Sequence, residues 1–139
     1  MQLQDVMTNQ FEYIGHGDSV VHAARMMQEH DIGMLPVLEE HQIIGTLTDR
    51  DIVTRGLAEG IDPETPVSRI MTTGVHFRYI DDDVETAAKS MEDQQIRRLV
   101  VLDRNEHCVG VVSLGDLATR SDGTRLSGEV LEEVSQPTH

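Results

Sequence analysis

The sequence predicts an α+β protein built from two copies of one small unit. Three observations carry that prediction: a repeat spaced by 64 residues, a capped helical pattern in each copy, and a pair of strand-like runs behind each helix. Val6-Met7-Thr8 recurs as Ile70-Met71-Thr72, Asp18 as Asp82, Val20 as Val84, and Ala23-Ala24 as Ala87-Ala88. Met27 then matches Met91, Ile32 matches Ile96, Leu35 matches Leu99, and Val37-Leu38 matches Val101-Leu102. One inserted residue follows within 103–107, after which Gly45 matches Gly110 and Asp51 matches Asp116. Self-similarity this regular is the mark of a duplicated structural unit.

Each element has a local reason. Asp18-Ser19 and Asp82-Asp83 are helix-start signals, because short polar side chains accept from the free amides of a first turn. Val20, Ala23, Ala24 and Met27 follow at helical spacing, as do Val84, Ala87, Ala88 and Met91. Strands are expected at Met34–Leu38 and Leu99–Leu102, polar turns at 39–42 and 103–107, and second strands at Ile43–Leu47 and Cys108–Val112. Thr48 and Ser113 then open a second helix over Asp49–Ala58 and Leu114–Thr119. The order in each unit is strand, helix, strand, strand, helix, an α+β arrangement. The resulting boundaries are 1–60 for the first repeat, 61–69 for a linker holding Pro63 and Pro66, 70–120 for the second repeat, and 121–139 for a flexible acidic tail. Within that tail Val130, Leu131 and Val134 have the spacing of a short docked helix.

Composition narrows the function. A chain of 139 residues, 38% apolar and 26% charged, is that of a globular protein of about one domain. Its 25 acidic and 11 basic residues give a net charge of −14, and Lys89 is the only lysine. Such a surface repels phosphate backbones and anionic lipid, which excludes general nucleic-acid and membrane partners. The aromatics are Phe11, Tyr13, Phe77 and Tyr79, too few for a base-stacking platform. No apolar run approaches the ~18 residues of a span and no signal peptide opens the chain. The single cysteine, Cys108, has no internal partner, so the expected compartment is cytoplasmic. It aligns with Ile43 on an inner strand and is expected to be a small buried apolar group.

A repeated unit with Val6-Met7-Thr8 at its head, then Asp18-Ser19-Val20, Ala23-Ala24, Ile32-Gly33-Met34-Leu35-Pro36-Val37 and Gly45-Thr46-Leu47-Thr48-Asp49-Arg50-Asp51, resembles a cystathionine-β-synthase (CBS) domain. Two in tandem resemble a Bateman module of the stand-alone regulatory type, and the resemblance runs from Met1 to about Arg120. It implies two CBS repeats packed through their sheets with pseudo-two-fold symmetry. It implies adenosine-nucleotide clefts between the repeats, with AMP, ADP or ATP as candidate regulatory ligands and no required cofactor. It also implies a homodimer, to which Leu57 and Leu117 offer apolar helix positions, and an unknown protein partner.

The candidate site residues are Thr48-x-x-Asp51 and Ser113-x-x-Asp116. A helix start offers free N–H groups and a positive dipole end that suit a phosphate, and the hydroxyl adds a donor. The resemblance gives the aspartate the role of accepting both ribose hydroxyls. The competing reading is a capping box, which merely satisfies the first-turn amides. Arg50 reaches toward a phosphate or offsets its acidic neighbours, and Arg55 is expected on a solvated face. Arg97-Arg98, the only adjacent basic pair, precedes the strand where the family carries a basic group facing phosphate. Purine walls would come from Tyr13, Ile14, Met34, Leu35 and Pro36 in one cleft and Phe77, Leu99 and Val100 in the other, against an ordinary role as core. Val100 stands where the first repeat has Pro36.

Residues 1–64 hold 12 acids and 3 bases, and residues 65–139 hold 13 acids and 8 bases, so the second cleft is expected to favour an anion. The seven histidines lack paired metal-ligand spacing, and no nucleophile arrangement, phosphate loop or dinucleotide fingerprint appears, so no enzyme is expected. The alternative to a nucleotide sensor is a ligand-free interaction or structural CBS module.

Overall fold

The computed structural model describes residues 1–7, 10–113 and 115, and these form two compact units. The first is made of residues 12–75. Strand β1 (Ile14–Gly15) leads to helix α1 (Val20–His30), strand β2 (Met34–Glu39) and strand β3 (Gln42–Thr48). Helix α2 (Asp49–Asp51) runs on as a π-helical stretch, Ile52–Gly56, and a 3₁₀ turn, Leu57–Glu59. β1 pairs parallel to β2, and β2 pairs antiparallel to β3. The other unit joins residues 1–11 to the chain from His76 onward. It repeats the plan with β4 (Phe77–Tyr79), α3 (Val84–Gln94), β5 (Arg98–Leu102) and β6 (Cys108–Ser113). The pairing senses recur, and so does a bulge, between Val37 and Leu38 in one sheet and Val101 and Leu102 in the other.

The helix caps are those the sequence announces. Ser19 Oγ accepts from the His22 N–H at 3.1 Å, and Asp83 Oδ1 from the Thr86 N–H at 2.7 Å. The Thr86 N–H holds the Asp83 carboxyl below its ordinary range. Both helices end on a left-handed residue, Asp31 at φ 52° and Gln95 at φ 53°.

Each core lies between one helix and one sheet face. Val20, Ala23 and Met27 pack with Leu35, Val37 and Leu47 in the first unit, and Val84, Ala88 and Met91 with Leu99, Val101 and Val112 in the other. Leu35 and Leu99 are therefore core residues, not purine walls, because strand alternation turns them to the helix side with Val37 and Val101.

The compact units are cut differently from the repeats in sequence. The 3₁₀ turn Leu3–Asp5 packs with the second repeat, where Leu3 and Val6 join the core. Its counterpart, Val67–Arg69, packs with the first, where Val67 and Ile70 do the same. The stretch 61–69 is docked along the start of α1: Val20 N–H donates to Thr65 O, Val21 N–H to Pro63 O, and Val67 N–H to Asp18 O. Pairing of apolar heads with a sequence-distant helix is a tertiary effect that local pattern does not encode. Among the described residues no helix is long and apolar enough to cross a membrane.

Candidate functional site

Thr48 ends β3, and its extended backbone turns directly into α2. Its Oγ1 accepts from the Asp51 N–H at 3.1 Å, and Asp51 Oδ2 accepts from the Thr48 N–H at 3.0 Å. Both arms of the capping box are therefore made. Asp51 is the one charged residue that is buried among those described, at 8% exposure. The Thr72 hydroxyl donates toward Oδ2 at 3.4 Å and Oδ1 at 3.5 Å, and the Arg55 guanidinium stands 4.0 Å from Oδ1. These last contacts are long, and a carboxylate has about four lone-pair sites. Asp51 thus satisfies the helix start and keeps capacity to accept from hydroxyl groups of a ligand.

The neighbouring groups are placed as follows. Arg50 is exposed, and its N–H donates to Asp49 Oδ1 at 2.8 Å. Met34 is half-buried and lies opposite Thr48 in the β2–β3 register; Pro36 is buried opposite Thr46. Tyr13 is exposed, whereas Ile14 belongs to the core. Gly33 abuts Asp49: a Cβ there would come 3.2 Å from Asp49 Oδ2.

In the second repeat Ser113 ends β6 and pairs in register with Arg98. Arg97 and Arg98 are both exposed, Val100 is buried, and Phe77 is partly exposed against Tyr79, with ring centroids 5.6 Å apart. Asp116 and most of the expected helix Leu114–Thr119 lie outside the described residues, as does the tail 121–139. The structure therefore joins Thr48 to Asp51 and Arg98 to Ser113.

Arg55 adds to an expectation. The side chain is exposed, as expected, but it is not idle: its Nη1 donates to the carbonyls of Ile70 at 3.3 Å and Met71 at 3.2 Å and stands 3.2 Å from Thr72 Oγ1. The spacing of four residues from Asp51 was the signal for it, since acid and base so placed share a helix face. Thr72 was also legible as part of the repeated Ile70-Met71-Thr72, a motif with no chemistry attached. Cys108 is half-buried rather than buried, and desolvation pushes its thiol up to about 11. Among the described residues no three His, Cys, Asp or Glu side chains are grouped to hold a metal.

The CBS-domain family model matches residues 3–57 and 67–123. The CBS domain-containing protein YhcV of Bacillus subtilis is 38% identical over 133 residues, 96% of this chain and 94% of that one. A crystal structure of Hypoxic Response Protein I with two coordinated zinc ions superposes with a TM-score of 0.77 at 32% identity, over 85% of this chain and 97% of that one. The CBS domain pair of protein MJ0100, solved with 5′-methylthioadenosine and S-adenosyl-L-methionine, gives a TM-score of 0.72 at 27% identity, over 85% and 97%. With two matched repeats, two three-stranded sheets and relatives that span its length, the chain belongs to the CBS-domain family as a tandem CBS pair.

Proposed function

We propose that this CBS pair is a non-enzymatic regulatory module that binds an adenosine-containing nucleotide at Thr48–Asp51 and Ser113–Asp116. The observation that carries the reading is the buried Asp51 carboxylate, held by the Thr48 N–H with lone pairs to spare. The MJ0100 pair bound to 5′-methylthioadenosine and S-adenosyl-L-methionine supports the adenosine class. Met34 and Pro36 in one repeat and Val100 in the other stand on the sheet face opposite the core, the side a purine would use. Arg97 and Arg98 supply cations for phosphate, and Arg50 does so in the first repeat. AMP, ADP and ATP are the candidate ligands, and the module is assigned to the cytoplasm. Leu57 at 77% and Val53 at 55% exposure lie one turn apart on the run 49–59. They give a homodimer its apolar face, for which light scattering would read twice 15.5 kDa.

The competing reading, a ligand-free interaction or structural module, draws on the completed capping box, which needs no ligand. Thermal melting separates the two. Adenosine nucleotides at millimolar concentration raise the melting temperature of the wild type, by ~2.7 kcal/mol of stability at 100 times Kd. Asp51→Ala with Asp116→Ala removes the effect. No shift with AMP, ADP, ATP, NAD or S-adenosylmethionine would hand the protein to the interaction reading.

A further inference from the structure

Three stretches of the first unit meet at one carboxylate. Asp51 stands in the first turn of the helical run, Arg55 follows one turn later, and residues 70–72 pass beside both. Thr72 is pinned from its other side by β3: its N–H donates to Thr46 O at 2.8 Å, and the Thr46 N–H donates to Thr72 O at 2.9 Å. Gly45 permits that approach, because a Cβ there would fall 2.8 Å from Thr72 O and from Met71 Sδ.

The Arg55 Nη1 has two hydrogens and four oxygens within 4.0 Å: two carbonyls, a hydroxyl and the Asp51 carboxylate. The Thr72 hydroxyl likewise divides itself between both Asp51 oxygens at 3.4 and 3.5 Å, the outer limit of a hydrogen bond. Such a network is over-supplied with acceptors. When hydroxyl donors from a ligand occupy the Asp51 lone pairs, Arg55 is released to the carbonyls of Ile70 and Met71, which its Nη1 already reaches.

We infer that Arg55, acting with Thr72, is a positioning residue for Asp51: it sets the carboxylate to accept a vicinal diol and links occupancy of Asp51 to the order of residues 70–72. This rests on the ribose role proposed above for Asp51. The structural half of the claim stands on the hydrogen bonds alone and is tested without ligand.

Calorimetry with adenosine and with 2′,3′-dideoxyadenosine, on full chains that all carry Asp116→Ala to silence the second site, isolates the diol at Asp51, the chain with Arg55 intact serving as wild type. The wild type should prefer adenosine by about tenfold, the scale of a charge-assisted hydrogen bond lost. Arg55→Gln should reduce that preference to below about threefold while leaving dideoxyadenosine affinity unchanged, with Arg55→Lys recovering part of it. A residue that only stabilised the fold would weaken both nucleosides together. Hydrogen exchange at the Thr46 and Thr72 amides, without ligand, should speed about tenfold in Arg55→Gln and in Thr72→Val relative to amides of α1. Full diol preference in Arg55→Gln overturns the positioning role, and unchanged exchange overturns the link to residues 70–72. A wild type that binds neither nucleoside, or both equally, removes the ribose role itself, and the positioning role falls with it.

Discussion

Arg78 breaks the symmetry between the repeats at a single side chain. It stands in register with Val101 on the core face of its sheet, as Ile14 stands in register with Val37. Ile14 is 1% exposed, whereas Arg78 carries a buried Nε with no hydrogen-bond partner. A buried donor left unmade costs about 1–3 kcal/mol. Arg78→Ile, which copies the first repeat, should therefore stabilise the protein by about that amount, measured as a rise in the denaturant midpoint at constant slope. A loss of stability would show that the arginine stem fills the site better than a branched side chain does. Cys108 gives a second prediction at this scale. Burial raises its thiol from 9.0 to about 11, so the unfolded chain releases that proton first as pH rises. The contribution is fully present below pH 9, declines above it, and is gone by about pH 11. Cys108→Ala should flatten stability against pH in that window. At pH 7.5 alkylation of the folded protein should run about a hundredfold slower than for an ordinary thiol, in line with its lower thiolate fraction.

Helices and hairpins were legible because their determinants are local. Ser19 and Asp83 cap the helices that follow them, and the polar stretches 39–42 and 103–107 became the turns between paired strands. The second helix was legible only as a helix. Its π-helical middle, Ile52–Gly56, contains Thr54, whose hydroxyl donates back to Arg50 O at 2.8 Å and competes with the regular ladder. At the site, the Thr48–Asp51 box was legible from spacing, and so was the place of Arg55 one turn beyond Asp51, but the hydrogen bonds of Arg55 were not. Its acceptors, the carbonyls of Ile70 and Met71, lie 15 and 16 residues away, and only folding brings them there. The same folding explains Gly45, which sits opposite Val37 in a strand where a side chain would ordinarily be tolerated. Gly45→Ala drives a methyl into the Thr72 carbonyl, a backbone atom that cannot rotate away. The segment 70–72 must shift, at a cost of about 1–3 kcal/mol by the usual scale of overpacking. Thermal melting should show the loss, and the Thr46–Thr72 amides should lose protection before those of α1. A melting temperature equal to the wild type would mean that the segment accommodates the methyl freely.

For the molecule as a whole, the repeat spacing announced two equivalent units, and the structure gives them matched strands, helices and bulges. What the spacing did not announce is that the 3₁₀ heads change places, Leu3–Asp5 packing with the second repeat and Val67–Arg69 with the first. Equivalent backbones nonetheless carry unlike charges. Gly33 of the first repeat abuts the Asp49 carboxylate, and the matching position of the second is Arg97. Met34 lies opposite Thr48, and the matching Arg98 lies opposite Ser113. A phosphate about 4 Å from one arginine near the surface gains up to ~4 kcal/mol of raw attraction before desolvation reduces it, and Asp49 works against the same group in the other repeat. The apolar walls pull the opposite way, since Val100 lacks the ring that Pro36 offers. Charge prevails because a phosphate must be neutralised, whereas a purine packs on many apolar shapes. AMP should accordingly bind in two unequal phases, the tighter one at Ser113–Asp116, and the gap should narrow with added salt as exposed charges are screened. Adenosine, which carries no phosphate, should show a smaller gap. Calorimetry on Asp51→Ala and Asp116→Ala separately decides the matter: Asp116→Ala should abolish the tight phase, and its survival there with loss in Asp51→Ala would reverse the assignment.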